Sequence, residues 1–158
     1  KTNIDQQAKQ RLNVGNYQGS AKIIVDDLPT LPVIPGQMRQ VFQNLISNSL
    51  KFSKNSEAPL IRISSRPLAK RSFMSMVQED GPYYSITVSD NGIGFDPQFS
   101  SSIFNLFHRL HSKDKFEGTG IGLAITKKII EKHNGLIRAD SQEDNGATFV
   151  IILPSKQN

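Results

Sequence analysis

The run Gln40-Val41-Phe42-Gln43-Asn44-Leu45-Ile46-Ser47-Asn48-Ser49-Leu50-Lys51-Phe52-Ser53 carries two patterns at once. With Met38 before it, Val41, Phe42, Leu45, Ile46 and Ser49 follow the i, i+3, i+4, i+7 spacing of a helix that buries one stripe. A second face holds Gln40, Asn44, Asn48 and Lys51. Pro35-Gly36 opens the segment, and the periodicity predicts a helix over residues 35–50. Asn is a poor helix former because its amide competes for backbone hydrogen bonds. Asn44 and Asn48 nevertheless sit mid-helix, four apart, and so project from one face. Neither is near a helix end, so capping does not explain them. The pair reads either as an exposed polar face or as two neutral oxygen ligands aimed into a cavity. Amide carbonyls can bind a hard cation such as Mg²⁺, which keeps waters and leans on substrate phosphates. Lys51, one turn past Asn48, would set a positive charge beside the same phosphates.

Outward from this helix the pattern alternates between strands and turns. On the N-terminal side, Ile4, Ala8 and Leu12 suggest a short helix, ended by Gly15 and Gly19. Residues 21–25 read as a strand, followed by Pro29, Pro32 and Pro35, which exclude helix. On the C-terminal side, residues 60–64 and 83–89 alternate as strands do. Residues 66–81 between them read either as a longer hairpin or as a surface loop, with the loop as the default. Residues 92–102 are turn-rich, 103–110 offer one or two helical turns, and 113–118 form a charged loop with the composition of a lid. A second helix is predicted over 120–132, with Ile121, Ala124, Ile125 and Ile129 on one side and Asn134-Gly135 as its stop. Strands 136–141 and 147–153 finish the chain around the turn Glu143-Asp144-Asn145-Gly146. About five strands and three helices result. The last two strands are close enough to pair as a hairpin, so the sheet is at least partly antiparallel. An α+β two-layer sandwich, with helices packed on one face of a mixed sheet, is the simplest solution.

Composition narrows the chemistry. At 158 residues the chain has room for one domain, two at most. It has no cysteine, which removes a disulfide scaffold, a thiol nucleophile and Cys-ligated metals, and fits a reducing compartment. No apolar run approaches the roughly 20 residues that span a bilayer. The chain opens at Lys1 with no visible signal peptide and reads as an excised fragment. Nineteen Lys plus Arg against 14 Asp plus Glu leave a charge of +5, which suits an anionic partner or a phosphate-bearing ligand. No base-stacking pattern accompanies that surplus, so nucleic acid is not expected. His108, His111 and His133 form no pattern with a carboxylate or Ser, and read as surface residues rather than a triad or metal site.

Three further stretches carry chemistry. Asp90-Asn91-Gly92-Ile93-Gly94 ends a predicted strand. It reads either as an Asx turn or as a base-reading site: a carboxylate only accepts hydrogen bonds, adenine offers an amino donor, and guanine shows a carbonyl at the equivalent place. Gly92 and Gly94 permit close approach of backbone to a flat ring. A calcium loop is excluded because Ser101 stands where the bidentate Glu belongs. Gly118-Thr119-Gly120-Ile121-Gly122-Leu123 leads into a helix and reads either as a flexible connection or as an anion site at the helix N-terminus. It is neither a P-loop nor a dinucleotide fingerprint. Phe104 and Phe107 read as core anchors, and Arg109 could reach a terminal phosphate.

In order and spacing, these stretches resemble the catalytic domain of sensor histidine kinases. Residues 40–53 are similar to the N box, Asp90-Asn91-Gly92-Ile93-Gly94-Phe95 to the G1 box and residues 103–109 to the F box. Gly118-Thr119-Gly120-Ile121-Gly122-Leu123-Ala124 resembles the G2 box, and Asn145-Gly146-Ala147-Thr148-Phe149 the closing Gly-x-Thr-Phe element. The wording around Asp27-Leu28-Pro29-Thr30 and residues 107–111 resembles kinases of the phytochrome-like or PAS/GAF-linked kind. The resemblance implies the Bergerat ATP-binding sandwich over residues 21–158, with residues 1–20 as a helical lead-in from a linker. It implies that Asn48, with Asn44, holds Mg²⁺ and phosphate, that Lys51 contacts phosphate and that Phe52 lies over adenine. Asp90 would bind the adenine amino group, with Thr148 supporting it through water. Gly118, Thr119, Gly120, Gly122 and Leu123 would hinge the lid and cradle phosphate, and Arg109 would orient the γ-phosphoryl group. Gyrase-type and chaperone ATPases of the superfamily carry a water-activating Glu where this chain has Asn44, and Asn cannot act as a base. Residues 66–81 are longer than the family pattern. The phosphoacceptor motif is absent, which implies a catalytic half that serves a separate dimerisation domain of a homodimeric parent and, downstream, a response regulator. The location implied is cytoplasmic. Two other readings stay open: a serine-kinase anti-sigma factor of the same fold, and a degenerate nucleotide-binding module used for protein contact.

Overall fold

Helix α1 spans Pro35–Lys51 and buries Met38, Val41, Phe42, Leu45, Ile46, Ser49 and Leu50, the predicted stripe plus one residue. Pro35 fits its first turn, where an N–H would lack a partner anyway. These positions come from a computed structural model that describes residues 2–3, 21–78, 81–105 and 121–156. The expected helix over 4–12 and the lid loop over 113–118 lie outside the described residues. So do Phe107, His108, Arg109, His111, Gly118, Thr119 and Gly120.

Seven strands accompany the helix among the described residues: β1 (Thr2–Asn3), β2 (Lys22–Val25), β3 (Thr30–Leu31), β4 (Leu60–Leu68), β5 (Tyr83–Asp90), β6 (Leu136–Ser141) and β7 (Ala147–Pro154). β1 and β3 form a small antiparallel ladder, which makes the very start of the predicted lead-in extended. The other five make one mixed sheet in the order β2-β4-β5-β7-β6, parallel only between β2 and β4. Helix α2 (Gly122–Lys132) packs beside α1. The architecture is the expected α+β sandwich, with two α-helices among the described residues. Two short 3₁₀ turns, Pro97–Phe99 and Ser102–Phe104, follow β5. None of these helices is long and apolar enough to cross a membrane.

The helix-facing side of the sheet supplies Ile61, Ile63, Ile86, Val88, Ala139, Phe149, Ile151 and Leu153, all buried against α1 and α2. Phe104 joins this core as expected, its ring edge-on to Phe149 at 6.3 Å. Helix α2 stops where predicted. Asn134 takes the left-handed conformation at φ 59, and the Gly135 N–H reaches back to the Ile130 carbonyl.

Three expectations are corrected. β4 runs on to Leu68 instead of ending at Ser64. β2 stops opposite Ile63, so Pro67 lies beyond it, where the strand's other side is met only by a short bridge between Leu68 and Val77 and the Pro67 carbonyl accepts from the Gln78 N–H at 3.4 Å. The buried side of α2 is Thr126, Ile129 and Ile130, whereas Ile121, Ala124 and Ile125 are half-buried. His133 is not a surface residue: it is 3% exposed. Its Nε2 accepts from the Ile34 N–H at 3.0 Å and its Nδ1 lies 2.7 Å from the Ile129 carbonyl. Two different partners thus fix one neutral tautomer, with Nδ1 protonated, and tie the end of α2 to the start of α1.

Candidate nucleotide site

One end of the sheet brings Asp90, Gly92 and Gly94 close to the helix that carries Asn44 and Asn48. Asp90 is the last residue of β5, and its carboxylate turns to the helix side. Oδ2 accepts from the Ser49 hydroxyl of α1 at 2.8 Å. Oδ1 accepts from the Gly92 N–H at 2.9 Å and the Ala147 N–H at 3.2 Å. Three elements therefore meet on one carboxylate. The following loop is pinned on both flanks. The Ile93 N–H donates to the Phe52 carbonyl at 2.9 Å, and the Asp144 N–H donates to the Ile93 carbonyl at 2.7 Å.

The glycines here are demanded by space. A Cβ on Gly92 would lie 2.5 Å from the Phe52 carbonyl oxygen. Gly94 and Gly146 have φ of 62 and 76, and any Cβ would press on backbone oxygens, those of Gln142 and Asp90 respectively. Asn91 serves the scaffold. Its Oδ1 accepts from the Leu60 N–H at 2.8 Å and its Nδ2 donates to the Ala58 carbonyl at 3.2 Å.

Asn44 and Asn48 share one face of α1, both half-buried. Asn44 Nδ2 donates to the Gly122 carbonyl at 3.1 Å and to Thr126 Oγ1 at 3.2 Å. Its carbonyl oxygen stays near the start of α2, 4.0 Å from where a Cβ on Gly122 would lie. Thr126 is fully buried and returns its own hydroxyl to the Gly122 carbonyl at 2.9 Å. The Asn48 amide makes no hydrogen bond with the described residues, which leaves it available to a ligand. Among the described residues no cluster of three His, Cys, Asp or Glu could hold a metal. The neutral amides of Asn44 and Asn48 would fit a cation whose negative ligands come from bound phosphates.

Gly122 starts α2, and the nearest side-chain atom to a Cβ placed there is Asn44 Cγ at 3.8 Å. Ile121 at the N-cap offers no side-chain hydrogen bond and the first turn holds no acid, so among the described residues nothing neutralises the positive end of this helix. Leu123 is half-buried against the core. Lys51 Nζ lies 5.6 Å from the centroid of the Phe52 ring, at the α1 C-terminus where the helix dipole favours a cation.

The structure does not bring Thr148 to Asp90. Thr148 lies in register with Ser89, and their hydroxyls are 3.1 Å apart. Adjacent strand residues face opposite ways, so Thr148 is on the far side of the sheet from the Asp90 carboxylate. Ala147, one residue earlier, occupies that place and offers only its N–H. Ser49, Thr126 and Ala147 are site residues that sequence reasoning missed. The hydroxyls inside buried helix faces were the available signal. A separate cavity of about 310 Å³ is lined by Ile93, Gly94, Phe95, Asp96, Phe99, Glu143 and Asp144. None of Asn44, Asn48 and Asp90 lines it.

Comparison with known proteins gives the family and the fold. The chain is 48% identical over 134 residues to cyanobacterial phytochrome A of Nostoc sp. strain PCC 7120, covering 85% of the chain and 16% of that protein. It is 42% identical over 146 residues to the phytochrome-like protein Cph1 of Synechocystis sp. strain PCC 6803, covering 92% and 17%. The chain thus spans about a sixth of the length of these curated relatives. The solved catalytic domain of histidine kinase ThkA superposes with a TM-score of 0.74 at 20% identity, covering 99% of this chain and 97% of that one, a likeness of fold. Residues 34–157 match the family described as histidine kinase-, DNA gyrase B-, and HSP90-like ATPase, and the chain belongs to that family.

Proposed function

We propose that this chain is the ATP-binding catalytic portion of a sensor histidine kinase, which binds Mg-ATP and passes the γ-phosphoryl group to a histidine of a separate dimerisation domain. The observation that carries the reading is the Asp90 carboxylate, held at the sheet end beside the close approach at Gly92, with the Asn44–Asn48 face on the helix it is bonded to. Asp90 accepts the adenine amino group, and Phe52 gives the base a flat apolar contact. Asn44 and Asn48 would hold Mg²⁺, which would supply neutralisation of phosphate charge when bound. Lys51 and the open N-terminus of α2 take the phosphates, with Gly118, Thr119, Gly120, Gly122 and Leu123 forming the wall there. Arg109 orients the γ-phosphoryl group. No residue named here activates water, because Asn44 has no basic oxygen. Transfer therefore rests on position and charge neutralisation.

On this reading residues 21–158 are the ATP-binding domain and residues 1–20 lead in from a linker. The parent is a homodimer whose response regulator receives the phosphoryl group, and the domain works in the cytoplasm. The matched span of 34–157 and the kinase named in the fold neighbour support it. Titration calorimetry with ATP and GTP, with and without Mg²⁺, tests the site. We expect ATP binding in the micromolar to sub-millimolar range, about −5 to −8 kcal/mol. It should weaken without Mg²⁺, and GTP should bind far more weakly. Equal binding of the two nucleotides would remove Asp90 as the reader of the base.

A further inference from the structure

Ser49 is the one polar member of an otherwise apolar stripe, and it is 4% exposed. A buried helical serine ordinarily returns its hydroxyl to a carbonyl one turn earlier. Here the hydroxyl crosses from α1 to β5 and donates to Asp90 Oδ2 at 2.8 Å. The other oxygen, Oδ1, already accepts two backbone N–H bonds, from Gly92 and Ala147. A carboxylate oxygen offers two lone-pair sites, so Oδ1 is full and Oδ2 keeps one site open.

We infer that Ser49 is the positioning residue for base recognition, holding the Asp90 carboxylate so that Oδ2 takes the amino group of an adenine base. This inference rests on the reading of Asp90 given above and adds to it the acting oxygen and the group that aims it. The backbone N–H groups of Gly92 and Ala147 fix one oxygen. The Ser49 hydroxyl fixes the plane of the carboxylate, and with it the direction of the remaining lone pair. Ser49 touches neither phosphate nor metal in this scheme, so its removal acts on the base alone.

The test compares ATP with purine riboside triphosphate, which has the same ring and phosphates but no amino group, by calorimetry on the full chain. Wild type should prefer ATP by at least about tenfold, the effect of one hydrogen bond to a charged acceptor. Ser49→Ala should cut that preference to within about threefold while the affinity for purine riboside triphosphate stays unchanged. Equal weakening of both nucleotides would make Ser49 a packing residue and overturn the inference, as would an intact preference for ATP. A wild type that binds both equally would instead reject Asp90 as the base reader, and the inference about Ser49 would fall with it.

Discussion

At the residue scale, the site is a matter of which atoms face each other. Asp90→Asn illustrates this. Its single amide oxygen would be drawn to the Gly92 and Ala147 N–H groups, which both donate to Oδ1 now. The new amino group would then point where adenine presents its own donor. ATP affinity should fall by about tenfold or more, GTP should gain relative to ATP, and tripolyphosphate binding should not move, all by calorimetry. Asn48→Asp should weaken Mg-ATP binding because it replaces an amide with an acceptor-only charge next to phosphate. Unchanged affinity would sink the metal assignment. His133→Ala removes the acceptor of the Ile34 N–H and the donor to Ile129 without touching the site. It should cost about 1–3 kcal/mol in urea unfolding, the penalty of a buried donor left alone, with ATP affinity within a few-fold. The Asn pair and Asp90 were legible in the sequence because each is an oddity within its own segment. His133 was not, because its partner lies 99 residues away and only the folded chain makes it a buried brace. Thr148 was misplaced for a simpler reason: strand faces alternate residue by residue, and a motif matched by its letters does not say which face it lands on.

At the element scale, helix α1 could be read almost to the residue because its periodicity is local, whereas residues 66–81 could not. Three of them extend β4, and the described residues 69–78 return over the face of the sheet opposite the helices. Leu68 bridges to Val77, the Phe73 ring sits 4.6 Å from the Arg138 guanidinium, and Arg71 reaches the Asn134 carbonyl at 3.4 Å. Leu68, Ser85 and Ile152 on that face are buried, although no helix among the described residues covers it. The segment is therefore a cover, and the loop reading understates it. Its turn still carries Met74 and Met76 far out in solvent, at 89% and 81% exposure, so the tip contributes little to that cover. Replacing residues 70–80 by a short turn should expose Ile152 and remove the Arg138–Phe73 contact. The expected loss is about 1.5–3 kcal/mol of stability from one large aliphatic side chain returned to water. Nucleotide affinity should stay within a few-fold, because the site is on the helix side of the sheet. A large loss of ATP binding with stability intact would mean that the cover also shapes the site.

At the scale of the whole molecule, the fold brings the ends of α1 and β5 and the starts of β7 and α2 to one edge of the sheet. On the proposed reading, the side chains at this edge suit delivery to another protein more than hydrolysis. Asn44 is locked to Gly122 and Thr126, and as an amide it cannot take a proton from water. The chain alone should therefore hold ATP with very slow turnover and should not label itself. Mixed with the dimerisation domain of its own parent, it should move label from [γ-³²P]ATP to a histidine there: the phosphoryl group leaves ADP and bonds to an imidazole nitrogen. Transfer between separate pieces should be slow, because a covalent tether normally supplies an effective concentration near the millimolar range and free docking must replace it. Arg109→Ala should slow transfer by more than it weakens ATP binding, since its proposed contact is with the group in flight. Acid treatment separates the outcomes, as phosphohistidine is lost in acid and phosphoserine survives. Strong acid-stable label on the chain itself would make it a serine or threonine kinase on the same scaffold, with the Asn44–Asn48 face serving a different acceptor.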